Sequence, residues 1–166
     1  MFSVNVFGPM LATKAALPLF PEGGGSIINI GSVIGEMAPS QASIYAGTKG
    51  ALTSITRVFA KELAPWKIRV NAVNPGAVQT EGFLAAGFKG SPFKAYMVQN
   101  TPLGRLGTPK DIADVVTYLA SDDSGWITGS LIDAAGGWRQ SVPERLERET
   151  EKVCSRGSKR WTRTRV

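Results

Sequence analysis

Histidine is absent from this chain of 166 residues, and cysteine occurs once, at Cys154. The absence of histidine excludes a serine–histidine–aspartate triad and any histidine-ligated metal site, and we expect no metal. A single cysteine permits no disulfide within the chain and gives no sign of an oxidising compartment, so we expect a cytoplasmic location. No apolar run approaches the roughly 18 residues of a membrane helix, so no membrane partner is expected.

Positive charge is concentrated at the C-terminal end of the chain. Residues 1–138 carry 10 basic and 9 acidic side chains, whereas residues 139–166 carry 9 basic and 4 acidic ones. Residues 140–166 also contain few apolar side chains, so we interpret them as a basic, disordered tail that follows one folded unit at residues 1–139. Binding of nucleic acid by this tail is the weaker alternative.

Short apolar runs alternate with helical patterns along residues 1–139, which predicts an α/β protein with a parallel sheet. The predicted strands cover residues 26–31, 68–73 and 130–133. The predicted helices cover residues 3–19, 42–64 and 109–120, the last with Thr108 as its N-cap. Residues 33–41 and 80–100 are predicted to be irregular. In the helix at 42–64, one apolar stripe predicts the buried face: Leu52, Ile55, Val58, Phe59 and Leu63.

Tyr45 and Lys49 stand four residues apart in a predicted helix, so their side chains lie on one face of that helix. A free phenol has a pKa of about 10 and is a poor acid at neutral pH. A neighbouring cation favours the phenolate and lowers that pKa. The pair is therefore a candidate for proton transfer near neutral pH.

Two further segments point to the same place in the predicted sheet. Ser32 follows one predicted strand, and a turn containing Pro75 and Gly76 follows the next. Ligands of open α/β sheets bind beyond the carboxyl ends of the strands, so these segments and the helix of Tyr45 and Lys49 are expected to meet there. Each residue alone also has a structural explanation: a half-buried tyrosine, a solvated lysine, or a serine in a turn.

In their order and spacing these motifs resemble the short-chain dehydrogenase/reductase family, and 3-oxoacyl-carrier-protein reductase-like members look closest. The resemblance covers about residues 1–139 and includes the Tyr-x-x-x-Lys pair, Ser32 and an upstream asparagine, Asn5. It continues through Asn-Ala-Val-Asn-Pro-Gly at 71–76, Pro-Leu-Gly-Arg-Leu-Gly at 102–107 and Gly-Gly-Trp at 136–138.

The resemblance implies an oxidoreductase that reduces carbonyls or oxidises alcohols of small molecules with NAD or NADP. It implies that Tyr45 is the general acid and base, that Lys49 assists it and binds the nicotinamide ribose, and that Ser32 holds the substrate oxygen. Asn5 would anchor a water between Lys49 and solvent, with local bonding within its helix as the alternative. The turn after the second strand would contact the cofactor through Pro75, Gly76, Val78 and Thr80.

One part of the family's pattern is missing from this sequence. No glycine-rich turn follows a strand and opens a helix, which is the feature that holds a cofactor pyrophosphate, and the cluster Gly23, Gly24 and Gly25 precedes a strand instead. We therefore expect a partial Rossmann-like, doubly wound parallel sheet whose N-terminal half is missing. The alternative to an enzyme is a non-catalytic remnant that acts only as an interaction partner of full-length paralogues.

Apolar side chains crowd the segment after Thr80, which in the family is a mobile lid over the substrate: Phe83, Leu84, Phe88, Phe93, Tyr96 and Met97. Such a lid favours an apolar or alicyclic substrate over a sugar, whereas plain core packing is the alternative. In the family, the helices corresponding to residues 1–19 and 42–64 pack against a second subunit. A homo-oligomer, or association with paralogues, is therefore expected.

Overall fold

The computed structural model describes residues 1–85 and 91–138, and in this part three strands alternate with six α-helices. The strands are β1 (Gly25–Ile30), β2 (Ile68–Pro75) and β3 (Leu131–Ala134). The helices are α1 (Gly8–Ala16), α2 (Ile34–Met37), α3 (Ser43–Glu62), α4 (Glu81–Ala85), α5 (Pro92–Gln99) and α6 (Pro109–Ala120). None of these described helices combines the length and the apolar character that crossing a bilayer requires. The predicted tail and Phe88 lie outside the described residues.

The three strands form one parallel sheet in the order β1-β2-β3, which confirms the predicted α/β class. Gly25 of β1 lies opposite Ile68 of β2, and Pro75 at the end of β2 lies opposite Ala134 of β3. Paired on both sides, β2 is buried along most of its length, as is typical of a central parallel strand.

Helices cover both faces of this sheet. Side chains alternate between the two faces along a strand, and the contacts follow that alternation. Ile27 and Val70, which are register partners in β1 and β2, join the apolar cluster formed with α3. One residue earlier in each strand, Ser26 and Arg69 both donate hydrogen bonds to the carbonyl of Leu119 in α6, at 2.8 and 3.0 Å. α3 therefore lies on one face and α6 on the other, which is the doubly wound arrangement.

The buried face of α3 differs from the predicted apolar stripe. Its buried residues are mostly small: Ala46, Thr48, Leu52, Thr56 and Ala60. Val58 of the predicted stripe is 48% exposed, although Leu52 and Leu63 are buried as predicted. The prediction for Val58 was wrong because a count of apolar residues does not locate a packing face made of small and hydroxyl-bearing side chains.

Segments predicted to be irregular contain short helices. α2 lies within residues 33–41, and α4 and α5 lie within residues 80–100. α5 has a regular start, because the Ser91 hydroxyl accepts a 3.2 Å hydrogen bond from the Lys94 amide and Pro92 occupies the first turn. The predicted first helix is helical throughout but changes form, with a π-helical segment at Ser3–Phe7, then α1, then a 3₁₀ turn at Leu17–Leu19.

α6 begins at the predicted residue because its first turn carries a complete capping box. The Thr108 hydroxyl accepts from the Asp111 amide, and the Asp111 carboxylate accepts from the Thr108 amide at 2.6 Å. Arg105 pairs with the same carboxylate at 2.7 Å. Hydrogen bonds from Arg105 and Thr108 hold the pKa of Asp111 well below its usual range.

Candidate active site

Ser32 lies directly beyond the end of β1, in a segment that stays paired with β2. The amide of Gly31 donates to the carbonyl of Val73 at 2.7 Å, and the amide of Val33 donates to the carbonyl of Pro75 at 3.2 Å. The pairing of the two strands thus continues on both sides of Ser32. The Ser32 hydroxyl accepts a 3.2 Å hydrogen bond from the Ile34 amide at the start of α2. The structure therefore brings Ser32 next to the end of β2, as the sequence predicts.

Tyr45 and Lys49 occupy successive turns of α3. The Lys49 ammonium lies 5.8 Å from the centre of the Tyr45 ring. It also donates a 2.9 Å hydrogen bond to the carbonyl of Ile30, the last residue of β1. Burial lowers the pKa of Lys49 below its ordinary value of 10.5. The bond to Ile30 places Lys49 at the sheet edge from which Ser32 emerges. Tyr45 is 36% exposed, so solvent reaches its ring.

A contact between two backbones holds α2 against α3. A Cβ atom built on Gly35 would lie 2.9 Å from both the carbonyl carbon of Lys49 and the amide nitrogen of Gly50. Real Cβ atoms essentially never approach other atoms so closely, so only glycine at position 35 permits this crossing. α2 begins two residues after Ser32, and the crossing therefore sets the spacing between the Ser32 segment and the helix of Lys49. The sequence analysis did not identify Gly35 as a site residue.

Asn5 lies in the π-helical segment and reaches α3. Its side-chain amide donates a 3.1 Å hydrogen bond to the hydroxyl of Thr48, which in turn donates to the carbonyl of Tyr45 at 2.8 Å. π-helical turns are frequent at functional sites because they displace a side chain or carbonyl from the regular helical position. Sequence reasoning missed Thr48, although a hydroxyl residue directly before Lys49 on a predicted helix was a signal that it could have used.

The turn after β2 is fixed to two neighbouring segments. Gly76 donates its amide to the carbonyl of Ala134 at 3.2 Å, and a Cβ atom at position 76 would lie 2.8 Å from that of Ala135. Val78 pairs with Gly107 in an isolated parallel bridge. The Thr80 hydroxyl accepts from the Phe83 amide at 3.1 Å and so caps the start of α4. Pro75, Gly76 and Val78 are therefore at the carboxyl edge of the sheet, while Thr80 already has a local structural role.

The described residues suit one end of a dinucleotide cofactor. The Lys49 ammonium has three donor hydrogens, and its bond to Ile30 uses one. Together with the Tyr45 ring, whose centre lies 5.8 Å from that ammonium, this donor set suits the hydroxyls of a ribose. The glycine cluster before β1 does not suit a pyrophosphate, because a Cβ atom on Gly24 would overlap the Lys67 carbonyl and one on Gly25 would meet the Phe20 ring at 2.5 Å. That cluster is filled by protein and offers no cradle for a phosphate.

The sequence of this chain is similar to those of known oxidoreductases. A family model described as enoyl-(acyl carrier protein) reductase matches residues 1–139. An uncharacterised oxidoreductase of Methylorubrum extorquens is 55% identical over 139 residues, which are 84% of this chain and 56% of that protein. A 7alpha-hydroxysteroid dehydrogenase of Clostridium sardiniense is 41% identical over 145 residues, which cover 86% of this chain and 54% of that protein.

Solved structures share the fold at comparable identity. The angucycline C-6 ketoreductase LanV, solved with bound NADP, superposes with a TM-score of 0.76 at 37% identity. The alignment covers 83% of this chain and 52% of that protein. The chain thus spans about half the length of the curated relatives and of the solved structure that it matches.

Proposed function

Because the chain belongs to the short-chain dehydrogenase/reductase family, we propose that it forms the catalytic part of a nicotinamide-dependent oxidoreductase. Its reaction is the reduction of a small-molecule carbonyl to an alcohol, and the reverse oxidation. The observation that carries this proposal is the Lys49 ammonium, which lies beside the Tyr45 ring and is bonded to the end of β1, two residues before Ser32.

In the proposed reaction, Tyr45 transfers the proton to and from the substrate oxygen. In reduction, the Tyr45 hydroxyl gives its proton to the substrate oxygen, and in oxidation the phenolate takes that proton back. The Ser32 hydroxyl donates a hydrogen bond to the same oxygen. Lys49 stabilises the phenolate through its charge. The nicotinamide, when bound, supplies or accepts the hydride at the carbonyl carbon.

Asn5 is proposed to act through the helix that carries the pair. The bonds from Asn5 to Thr48 and from Thr48 to the Tyr45 carbonyl support this role, because they hold the part of α3 that runs from Tyr45 to Lys49. The family resemblance also supports the proposal that Asn5 anchors a water between Lys49 and solvent.

The proposed cofactor is NAD or NADP. Its nicotinamide half would be held by Tyr45 and Lys49 and by the turn after β2, through Pro75, Gly76, Val78 and Thr80. The NADP bound in LanV supports this class of cofactor. Lys49 would bond the nicotinamide ribose with the donors that Ile30 leaves available.

Replacing Tyr45 by Phe tests the proposed function directly. Consumption of NADPH in the presence of a ketone should fall by about 10²–10⁴-fold, because the ring stays while the transferable proton is removed. Tyr118→Phe makes the same change on α6, where Tyr118 is 43% exposed, and should leave the rate within about twofold. Full turnover by the Tyr45 variant would contradict the assignment. If the unmodified chain neither turns over nor binds NADPH in equilibrium dialysis, the non-catalytic alternative is favoured.

We propose self-association, or association with paralogues, as the state in which the chain acts. Three apolar side chains of the N-terminal helical stretch support it: Val4, Phe7 and Leu11 are 75%, 56% and 66% exposed. Light scattering on the dilute chain checks this, and a monomer at every concentration would contradict it.

We also propose a cytoplasmic location, because a single cysteine gives no sign of an oxidising compartment. Cell fractionation tests this proposal.

A further inference from the structure

A cavity of about 240 Å³ lies between α2, α5 and the end of the described chain. Ile34 and Met37 of α2 form one wall. Phe93, Tyr96 and Met97 of α5 form a second wall, and Trp138 closes a third side. The sequence analysis placed the α5 residues in a lid but did not connect them with Trp138 or with α2.

The lining of this cavity selects against charge. It contains three aromatic rings and two thioethers, which offer large polarisable surfaces to a flat apolar ligand. Among its lining residues in the described part of the chain, none is Asp, Glu, Lys or Arg. A carboxylate or phosphate that entered would therefore lose its water without gaining an opposite charge, which is strongly unfavourable.

The cavity is connected to the candidate active site through α2. Ile34, which lines the cavity, donates its amide to the Ser32 hydroxyl at 3.2 Å. The crossing at Gly35 holds the same helix against the backbone of Lys49. A molecule seated in the cavity therefore lies against the short helix that begins two residues after Ser32.

We propose that this cavity binds the ring system of a neutral fused-ring ketone, or of the corresponding alcohol, and so sets the substrate class of the proposed reaction. An apolar cavity of about 150 Å³ accommodates one benzene ring, whereas this cavity has about 240 Å³. That space suits two fused rings, and a larger ring system would extend out of the cavity. The proposal rests on the proposed oxidoreductase function for its link to Ser32, but binding itself requires neither cofactor nor turnover.

The test measures binding of 1-tetralone, a neutral two-ring ketone, to the full chain. Trp66 and Trp126 are 57% and 101% exposed. Phe replaces both of them and Trp161, so that Trp138 is the only tryptophan left. Saturable quenching of Trp138 fluorescence by 1-tetralone is expected. A 1-tetralone carrying a carboxylate on its distal ring should bind at least about tenfold more weakly, because the lining offers that charge no partner.

A matched pair of variants on α5 locates the site. Met97→Glu introduces a carboxylate into the cavity wall and should weaken 1-tetralone binding at least about tenfold. Val98→Glu adds the same group at the next position, which lines a separate depression with Lys94 and Gln99, and should leave affinity within about twofold. Thermal melting of both variants verifies that they fold. If Met97→Glu does not fold, Met97→Gln replaces it, with Val98→Gln as its control.

The outcomes separate this proposal from the proposed function. Absence of saturable quenching, equal binding of the charged and neutral ketones, or equal weakening by the two α5 variants each overturns the inference about the cavity. If 1-tetralone binds as expected but no reduction occurs with NADPH, the cavity assignment stands and the catalytic proposal fails. If the chain reduces only charged or sugar-like ketones and does not bind 1-tetralone, the catalytic proposal stands and the cavity assignment fails.

Discussion

The helices α3 and α6 cover opposite faces of one sheet, but different interactions hold them. α6 starts with a capping box made within its own first turn, by Thr108 and Asp111, and buries Leu119 completely. α3 starts at Ser43 with no side-chain cap. α6 is therefore specified largely by its own sequence, whereas α3 depends more on its surroundings.

Polar contacts with distant segments hold α3. Thr48 accepts from Asn5, and Thr56 accepts from Asn29 of β1 at 2.9 Å. Lys49 donates to the end of the same strand. Each contact crosses from α3 to another element, and two of the three involve residues adjacent to or within the candidate active site. The comparison teaches that α3, which carries the proposed chemistry, is positioned by hydrogen bonds from its own side chains to other elements. α6 instead has a side-chain cap of its own and receives hydrogen bonds from the sheet at a backbone carbonyl, that of Leu119.

Removing the buried side chain of α6 should have the largest effect. Leu119→Ala should lower the free energy of unfolding by about 2–5 kcal/mol, because Leu119 is 0% exposed and leaves a cavity. Its backbone carbonyl, which accepts from Ser26 and Arg69, is unchanged. Urea denaturation measures the loss. Thr117→Ala, at an exposed position of the same helix, should stay within about 0.5 kcal/mol, and an equal loss there would contradict the assigned role of Leu119.

Breaking one buried bond of α3 should cost less. Thr56→Val should lower the free energy of unfolding by about 1–3 kcal/mol, because the Asn29 amide loses its partner in a buried position. The double variant Asn29→Leu with Thr56→Val should be less destabilised than the sum of the single variants, since no buried donor remains. Additive losses in urea denaturation would show that this bond does not couple β1 to α3.

Removing the hydroxyl at the start of the helix should lower the free energy of unfolding more for α6 than for α3. Thr108→Ala should cost about 1 kcal/mol, because it removes the hydroxyl that accepts from the Asp111 amide. Ser43→Ala at the start of α3 should change the free energy of unfolding by less than about 0.5 kcal/mol, because no side-chain cap is present there. Equal losses in urea denaturation would remove the distinction between the two helices.

The smallest effect concerns the charge on α3. Burial lowers the pKa of Lys49, so between that lowered value and 10.5 the unfolded chain binds more protons than the folded one. In this window the unmodified protein should gain stability with rising pH relative to Lys49→Met. Thermal melting of both proteins at pH steps approaching 10.5 checks the trend. Lys61→Met, at an exposed position of α3, gives the reference for removing a lysine charge, and an identical trend for both variants would contradict the role of burial.

Local signals explain what the sequence predicts well. The strands and α6 were placed within about two residues of their bounds, because apolar runs, Thr108 and Pro109 act over a single element. The short helix α2 was missed because it contains Gly35, has Pro39 two residues beyond its end, and is too short for an amphipathic repeat. α5 was missed although Ser91 and Pro92 form a regular helix start that could have indicated it.

In the candidate site too, some features follow from local sequence signals and others depend on tertiary packing. Spacing alone places Tyr45 and Lys49 on one helix face, and strand ends place Ser32 beside Pro75. The bond from Asn5 to Thr48 and the position of Trp138 could not be predicted, because they depend on how elements far apart in the sequence pack. Their partners are separated from them by 43 residues or lie on other helices. The roles of the site residues stay predictions until the Tyr45 variant is measured.

The crossing of α2 over α3 at Gly35 and Gly50 has a consequence for how this chain can vary. Contacts between side chains can drift over generations, since a larger residue on one side can be balanced by a smaller one on the other. No residue is smaller than glycine, so a change at position 35 can only push the two backbones apart. The separation between the Ser32 segment and the helix of Lys49 is thus shielded from the gradual repacking that other parts of the fold tolerate.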